Sequence, residues 1–178
     1  MQDKHLIKLP ITKELICLRC MSPKKLRFEI EYSLGKGTTA NSFLFIDKSQ
    51  SHETTSAVLI HPPGKNFEEV FIPGLKEFLN PRTTKLIIVI GHINPNRVGL
   101  LRRLSQEFRN IELICSNPAA KLLEGLWTQI KPSEQKQNDA KAIPPLPKID
   151  LIKQEQNMSI GDQYQLNFIP APTARWPG

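Results

Sequence analysis

Lys85-Leu-Ile-Ile-Val-Ile-Gly-His-Ile-Asn-Pro-Asn-Arg97 is the stretch that decides the fold. Leu86 to Ile90 is an unbroken apolar run rich in β-branched residues, the composition of a buried strand, and Val98 to Phe108 has the spacing of an amphipathic helix. Gly91 to Arg97 is then a polar loop between strand and helix. Upstream, Leu26 to Tyr32 and Ser42 to Ile46 read as antiparallel strands joined through the Gly35-Lys-Gly-Thr-Thr39 turn. Ala57 to Ile60 reads as a short strand ended by His61-Pro-Pro-Gly64. Phe67 to Leu79 has helical spacing, with Pro73 either at a kink or at the true helix start. Downstream come a strand at Ile111 to Cys115 and a helix at Pro118 to Trp127 with Asn117 as its cap. The order is β-α-β-α, which predicts an α/β fold.

Residues 131–148 break the pattern. Their Gln, Lys, Asn and Asp residues, followed by Ile143-Pro-Pro-Leu-Pro147, bury too little apolar surface to offset ordering, which predicts a flexible or polyproline-like insertion. Strands resume at Ile149 to Lys153 and Gln165 to Ile169, with a Gly161-Asp162 turn between them. There is no internal repeat and no glycine-rich phosphate loop.

The loop after Ile90 carries His92, Asn94, Asn96 and Arg97 at the spacing of a binuclear metal-binding motif, H-x-[HE]-x-D-H. Only the first histidine is a competent ligand. A hard or borderline metal takes anionic oxygen or neutral imidazole nitrogen, and Asn94 and Asn96 offer only carbonyl oxygens. Arg97 has no lone pair to give. At about 4 Å from a dication, in an effective dielectric of about 20, its charge would be repelled by about 8 kcal/mol. The plainer reading of this motif alone is a polar loop after a strand, since one short motif has a high false-positive risk.

Three further segments flank the loop in order: Arg27-Phe-Glu-Ile-Glu31, Gly37-Thr-Thr-Ala-Asn-Ser-Phe-Leu-Phe-Ile46 and Phe168-Ile-Pro-Ala-Pro-Thr-Ala-Arg-Trp-Pro177. With the loop they resemble the flavodiiron proteins, specifically the cyanobacterial diflavin flavoproteins, in which the corresponding segments read close to G-T-T-Y-N-S, S-H-x-E-x-D-H-S-G and A-P-x-x-H-W-P-D. The likeness runs from about Leu15 to Gly178. It implies an α/β fold, the first half of a metallo-β-lactamase-like αββα sandwich and therefore incomplete. Residues 1–14 are then an N-terminal extension and residues 15–178 the partial domain, with no flavodoxin-like or flavin reductase domain. The inward side chains of Leu86, Ile88 and Ile90 would wait for a second sheet and stay partly uncovered.

The resemblance also implies what the site has lost. His92 matches the first metal histidine, while Asn94 stands where a glutamate is expected, Asn96 where an aspartate is expected, and Arg97 and Arg175 where further histidines are expected. His61 follows a strand where the family usually has an aspartate. Complete members use a diiron centre, FMN and a reduced nicotinamide cofactor to reduce oxygen to water in photoprotective electron transfer. For this chain the reading is a truncated, ligand-depleted relative that binds no metal or cofactor and is not catalytic alone. Its partner would be a homologous flavodiiron subunit or the missing half of the domain. The alternative is an anion- or partner-binding module, with Arg97 and Arg175 holding the anion. An active hydrolase of the same fold would need carboxylates and imidazole at positions 94, 96 and 97.

Composition bounds the rest. The chain has 178 residues, enough for one domain with a core. Its net charge of +7 is dispersed and only 7% of residues are aromatic, which argues against a nucleic-acid surface. Arg102 and Arg109 share a helical face that reads as solvated. No apolar run is long enough to span a membrane and no secretory signal is seen, so the chain is expected in the cytoplasm. Cys17-Leu-Arg-Cys20 has redox-pair spacing, but with no second pair, and with Cys115 alone on a strand, reduced thiols are the better reading.

Overall fold

Short strands of large apolar residues, each followed by a helix with one apolar face, pack in only a few ways, and this chain uses the βαβ solution. The computed structural model describes residues 4–23, 37–47, 56–129, 143–153, 156–160 and 164–169. Seven strands form one mixed sheet: β1 His5–Pro10, β2 Leu15–Ser22, β3 Thr38–Asp47, β4 Ser56–Ile60, β5 Lys85–Val89, β6 Asn110–Cys115 and β7 Lys148–Leu151. Their order across the sheet is their order in the chain. The first four are antiparallel to their neighbours, and β4 to β7 run parallel. The parallel strands are joined by α1 Glu68–Lys76, α2 Pro95–Glu107 and α3 Asn117–Trp127. Right-handed crossovers advancing in one direction put all three helices on one face. A separate antiparallel hairpin, β8 Asn157–Ile160 with β9 Tyr164–Asn167, follows.

The core lies between sheet and helices. Leu44, Leu59, Leu86 and Ile88 from the sheet meet Phe67, Phe71, Leu75, Leu100, Leu101 and Leu104 from the helical layer. Leu86, Ile88 and Ile90 are therefore buried, at 0%, 0% and 1% exposure, which corrects the expectation that they wait for a second sheet. The alternate residues Ile87 and Val89 are half-buried and look the other way. On that second face Phe43, Ile60 and Val89 stand in register across three strands. The hairpin meets it through Tyr164, whose ring lies edge-on to Phe45 with centroids 5.5 Å apart. The Tyr164 hydroxyl donates to Glu14 at 2.9 Å.

Several other expectations need correction. Within the segment read as an extension, His5–Pro10 forms β1, which pairs along its whole length with β2, from His5 opposite Met21 to Pro10 opposite Ile16. Leu6 also seats on α1 at Gly74, where an added Cβ would come within 2.1 Å of Leu6 Cδ2. The strand β2 is not evident in the sequence, because its polar insertions hide the alternation. Cys17 and Cys20 fall three apart on it and so project from opposite faces, which rules out a pair between them. All three cysteines are free and buried. Burial pushes Cys20 up to about 12 and, with help from Glu124, Cys115 up to about 11, so neither thiol is nucleophilic.

The helices also begin differently. Pro73 lies inside α1, which starts at Glu68 after a 3-10 turn over Lys65–Phe67. Burial of Phe71, Ile72 and Leu75 offsets the roughly 3 kcal/mol that an interior proline costs. The cap of α3 is Ser116, whose hydroxyl accepts from Ala119 N at 3.3 Å, rather than Asn117. Arg102 does not belong to a solvated face. It reaches from α2 to donate to the carbonyls of Leu126 and Gln129 at 2.7 and 2.8 Å, closing the C-terminal end of α3.

The insertion read as 131–148 divides. Residues 131–142 lie outside the described residues. Ile143 and Leu146 pack on the core, Trp127 Nε1 donates to Pro144 O at 2.9 Å, and Lys148 already belongs to β7, so this end is docked rather than free. The segments Leu26–Tyr32 and Gly161-Asp162, together with Arg175, lie outside the described residues.

Candidate functional site

Ligand sites in parallel α/β sheets form at the carboxyl ends of the strands. Here the ends of β4 and β5 are held side by side, with Ile60 opposite Val89. The chain leaves β4 through His61, whose φ of +56° is a left-handed backbone that side chains rarely adopt. Two bonds hold it there. His61 N donates to Val89 O at 3.0 Å, and the fully buried Ser42 hydroxyl donates to His61 O at 2.9 Å. Ser42 ends the Gly37-Thr-Thr-Ala-Asn-Ser42 segment, so that motif serves to latch the turn after β4.

The other wall is built by the start of α2. Asn94 is its N-cap, with Oδ1 accepting from Arg97 N at 2.8 Å, and Pro95 opens the helix. The expected loop is thus a helix start, and Asn96 and Arg97 lie in its first turn. Asn96 presses on Gly64, where a Cβ would fall 1.6 Å from Asn96 Nδ2. That amide nitrogen is buried and has no hydrogen-bond partner.

Arg97 occupies the space between the walls. Its Nε donates to Pro62 O at 2.8 Å, Nη1 donates to His92 O at 2.7 Å, and Nη2 lies 3.2 Å from His61 Nε2. Arginine stays protonated, so this last contact takes the guanidinium as donor and His61 as neutral acceptor. Burial, then the charges of Arg97 and His92, push His61 down to about 4 from an ordinary 6.5. Burial and Arg97 lower His92 as well.

The structure therefore brings together His92, Asn94, Asn96 and Arg97, and adds His61. Arg175 lies outside the described residues. Among the described residues no three His, Cys, Asp or Glu side chains lie close enough to share a metal ion. The donor set at these positions does not fit a diiron centre: Asn94 is committed to a helix cap, Asn96 is an amide, and Arg97 places a permanent cation between the two histidines. Ser42, which holds the His61 turn, is the residue at this site that spacing does not single out. Its signal is present as the last residue of the ordered motif.

No protein-family model matches the chain. It is 35% identical over 168 residues to diflavin flavoprotein A 6 of Nostoc sp. (strain PCC 7120), covering 94% of this chain and 25% of that protein. It is 34% identical over 169 residues to diflavin flavoprotein A 3 of Synechocystis sp. (strain PCC 6803), again covering 25% of that protein and 95% of this chain. Among solved structures, a metal-soaked Flv1 flavodiiron core from Synechocystis sp. PCC6803 matches with a TM-score of 0.77 and 32% identity, over 99% of this chain and 39% of that one. Residues 1–254 of diflavin flavoprotein A 5 from Nostoc sp. PCC 7120 match with a TM-score of 0.76 and 28% identity, over 99% and 61%. The chain thus spans about a quarter of the length of the curated relatives it matches.

Proposed function

We propose a function from the premise that the chain belongs with the cyanobacterial diflavin flavoproteins, as a homologue of their N-terminal part: it is a metal-site-depleted version of the metallo-β-lactamase-like module that does not reduce oxygen by itself. The family's oxygen chemistry, fed by reduced nicotinamide through FMN, needs a metal centre that this donor set is unsuited to hold. The module instead works beside a homologous flavodiiron subunit in the cytoplasm, in photoprotective electron transfer. The observation that carries this reading is the Arg97 guanidinium bonded to Pro62, His92 and His61 where the resemblance expects a metal histidine.

Elemental analysis of protein produced with added iron tests the reading. Well under 0.1 iron or zinc per chain is expected, and a reproducible ratio near one or two would overturn it. Co-expression with a tagged full-length homologue tests the partner: co-purification in fixed ratio is expected, and elution of the two proteins separately at working concentration counts against it.

A second reading, anion binding by Arg97 and Arg175, draws on Asn96. Its buried Nδ2 is a donor without an acceptor, next to a guanidinium in the same helical turn, and forked donors suit phosphate or a carboxylate. Melting temperature that rises with phosphate in the wild type and not in Arg97→Ala or Arg175→Ala supports it. Identical responses in all three sink it.

A further inference from the structure

We propose that Arg97 is an internal cation that takes over a metal ion's structural role, gathering lone pairs from the β4 and β5 loops onto one positive centre. The inference rests on the reading that this site carries no metal. A metal ion holds loops together because separate segments each offer it a lone pair, and its binding energy becomes folding energy. At Arg97 three lone pairs also converge on one cation, and they come from two loops: the carbonyl of Pro62 and the imidazole Nε2 of the adjacent His61 after β4, and the carbonyl of His92 after β5.

The geometry is specific to a guanidinium. The three contacts use three different nitrogens, Nε, Nη1 and Nη2, at 2.8, 2.7 and 3.2 Å. Their directions are fixed by the planar fork, which a single ammonium on a flexible stem does not reproduce. The acceptors are also prepared in advance. Ser42 and Val89 hold His61 in its left-handed turn and so present its ring, while the Asn94 cap fixes the helical turn that aims Arg97. Two of the three acceptors are backbone carbonyls, so the cross-link depends on the loop path more than on ligand side chains. Changing Asn94 and Asn96 to carboxylates would for that reason leave the site without metal for as long as Arg97 remains.

The test compares melting of the full chain and its Arg97 variants. Wild type is expected to melt at the same temperature with and without chelator or added iron. Arg97→Ala should melt lower by ~5–10 °C, in the range that loss of several charged hydrogen bonds implies for a chain of this size. Added methylguanidinium at tens of millimolar should recover part of that loss, and methylammonium should not. Arg97→Lys keeps the charge but not the fork, and should remain well below wild type. If Arg97→Ala is too unstable to purify, Arg97→Lys decides: a clear drop, or failure to fold despite the retained charge, supports the cross-link. A lysine variant melting within 1 °C of wild type overturns it, as does an alanine variant that does so. Failure of the premise looks different, because it appears as metal in the wild-type protein whatever the variants do.

Discussion

His61 Nε2 lies 3.2 Å from Arg97 Nη2, an imidazole lone pair facing a permanent guanidinium across two loops. Protonating His61 would turn the contact into repulsion between two donors. The folded state therefore binds this proton less well than the unfolded chain, with a value near 4 against an ordinary 6.5.

The sign of the resulting pH effect is fixed. Between pH 6.5 and 4 the unfolded state holds more protons, so stability is complete above the upper value and falls as pH drops toward the lower one. His61 as a residue remains exposed, so screening reduces the effect to about 1–2 kcal/mol. Urea melts across this range should show a shallower acid limb in His61→Gln than in wild type. Parallel limbs would show that other groups carry it.

Gly64 is needed by Asn96 rather than by its own backbone, since its φ of −80° suits any residue. A Cβ there would land 1.6 Å from the Asn96 amide and must displace that side chain. Gly64→Ala should cost about 1–3 kcal/mol, and Gly64→Ala with Asn96→Ala should recover most of that. Additive losses in the double variant would refute the contact.

A second glycine reports whether β1 belongs to the domain. Gly74→Ala drives a methyl into Leu6 Cδ2, the movable end of a side chain. Denaturant midpoints should show a loss of about 1–2 kcal/mol that shrinks when Leu6 is cut to Val. Without such coupling, β1 does not dock on α1 in solution.

Thr84 is 1% exposed and its Oγ1 has no hydrogen-bond partner. A buried hydroxyl without a partner costs about 1–3 kcal/mol, and valine has nearly its shape. Thr84→Val should raise stability by about 1 kcal/mol. A loss of similar size would mean that the hydroxyl is satisfied in solution.

Much of the central fold is legible in the sequence because its signals are local. Leu86 to Ile90 and Ala57 to Ile60 are apolar runs too short for helices, as is Ile111 to Cys115 but for Glu112, and each lies within a residue or so of a real strand. The helix start at Asn94-Pro95 is equally local, a cap followed by a proline at the first position, but reading those residues as a metal loop conceals it. β2 is hidden because Arg19 interrupts its apolar residues and no strict alternation shows. At the site, the loss of ligand chemistry at 94, 96 and 97 can be read from residue type alone. What replaces it cannot. Two of the three acceptors of Arg97 are backbone carbonyls, which every residue has, and the left-handed turn at His61 presents those of the β4 loop.

The sequential order of the sheet has a consequence for how the chain is made. Among the described residues every strand from β2 to β7 pairs with the described strand that precedes it in the chain, and α1 packs on β1 and β2, which are already laid down. Long-range closure is what slows sheet proteins, and domains fold from the N-terminal side during synthesis. A nascent chain of this topology can add one strand at a time to a growing edge, without holding a place open for a later segment to insert. The Arg97 cross-link then joins two loops whose strands, β4 and β5, lie side by side, so in this order of assembly it can close before β6 and β7 are added.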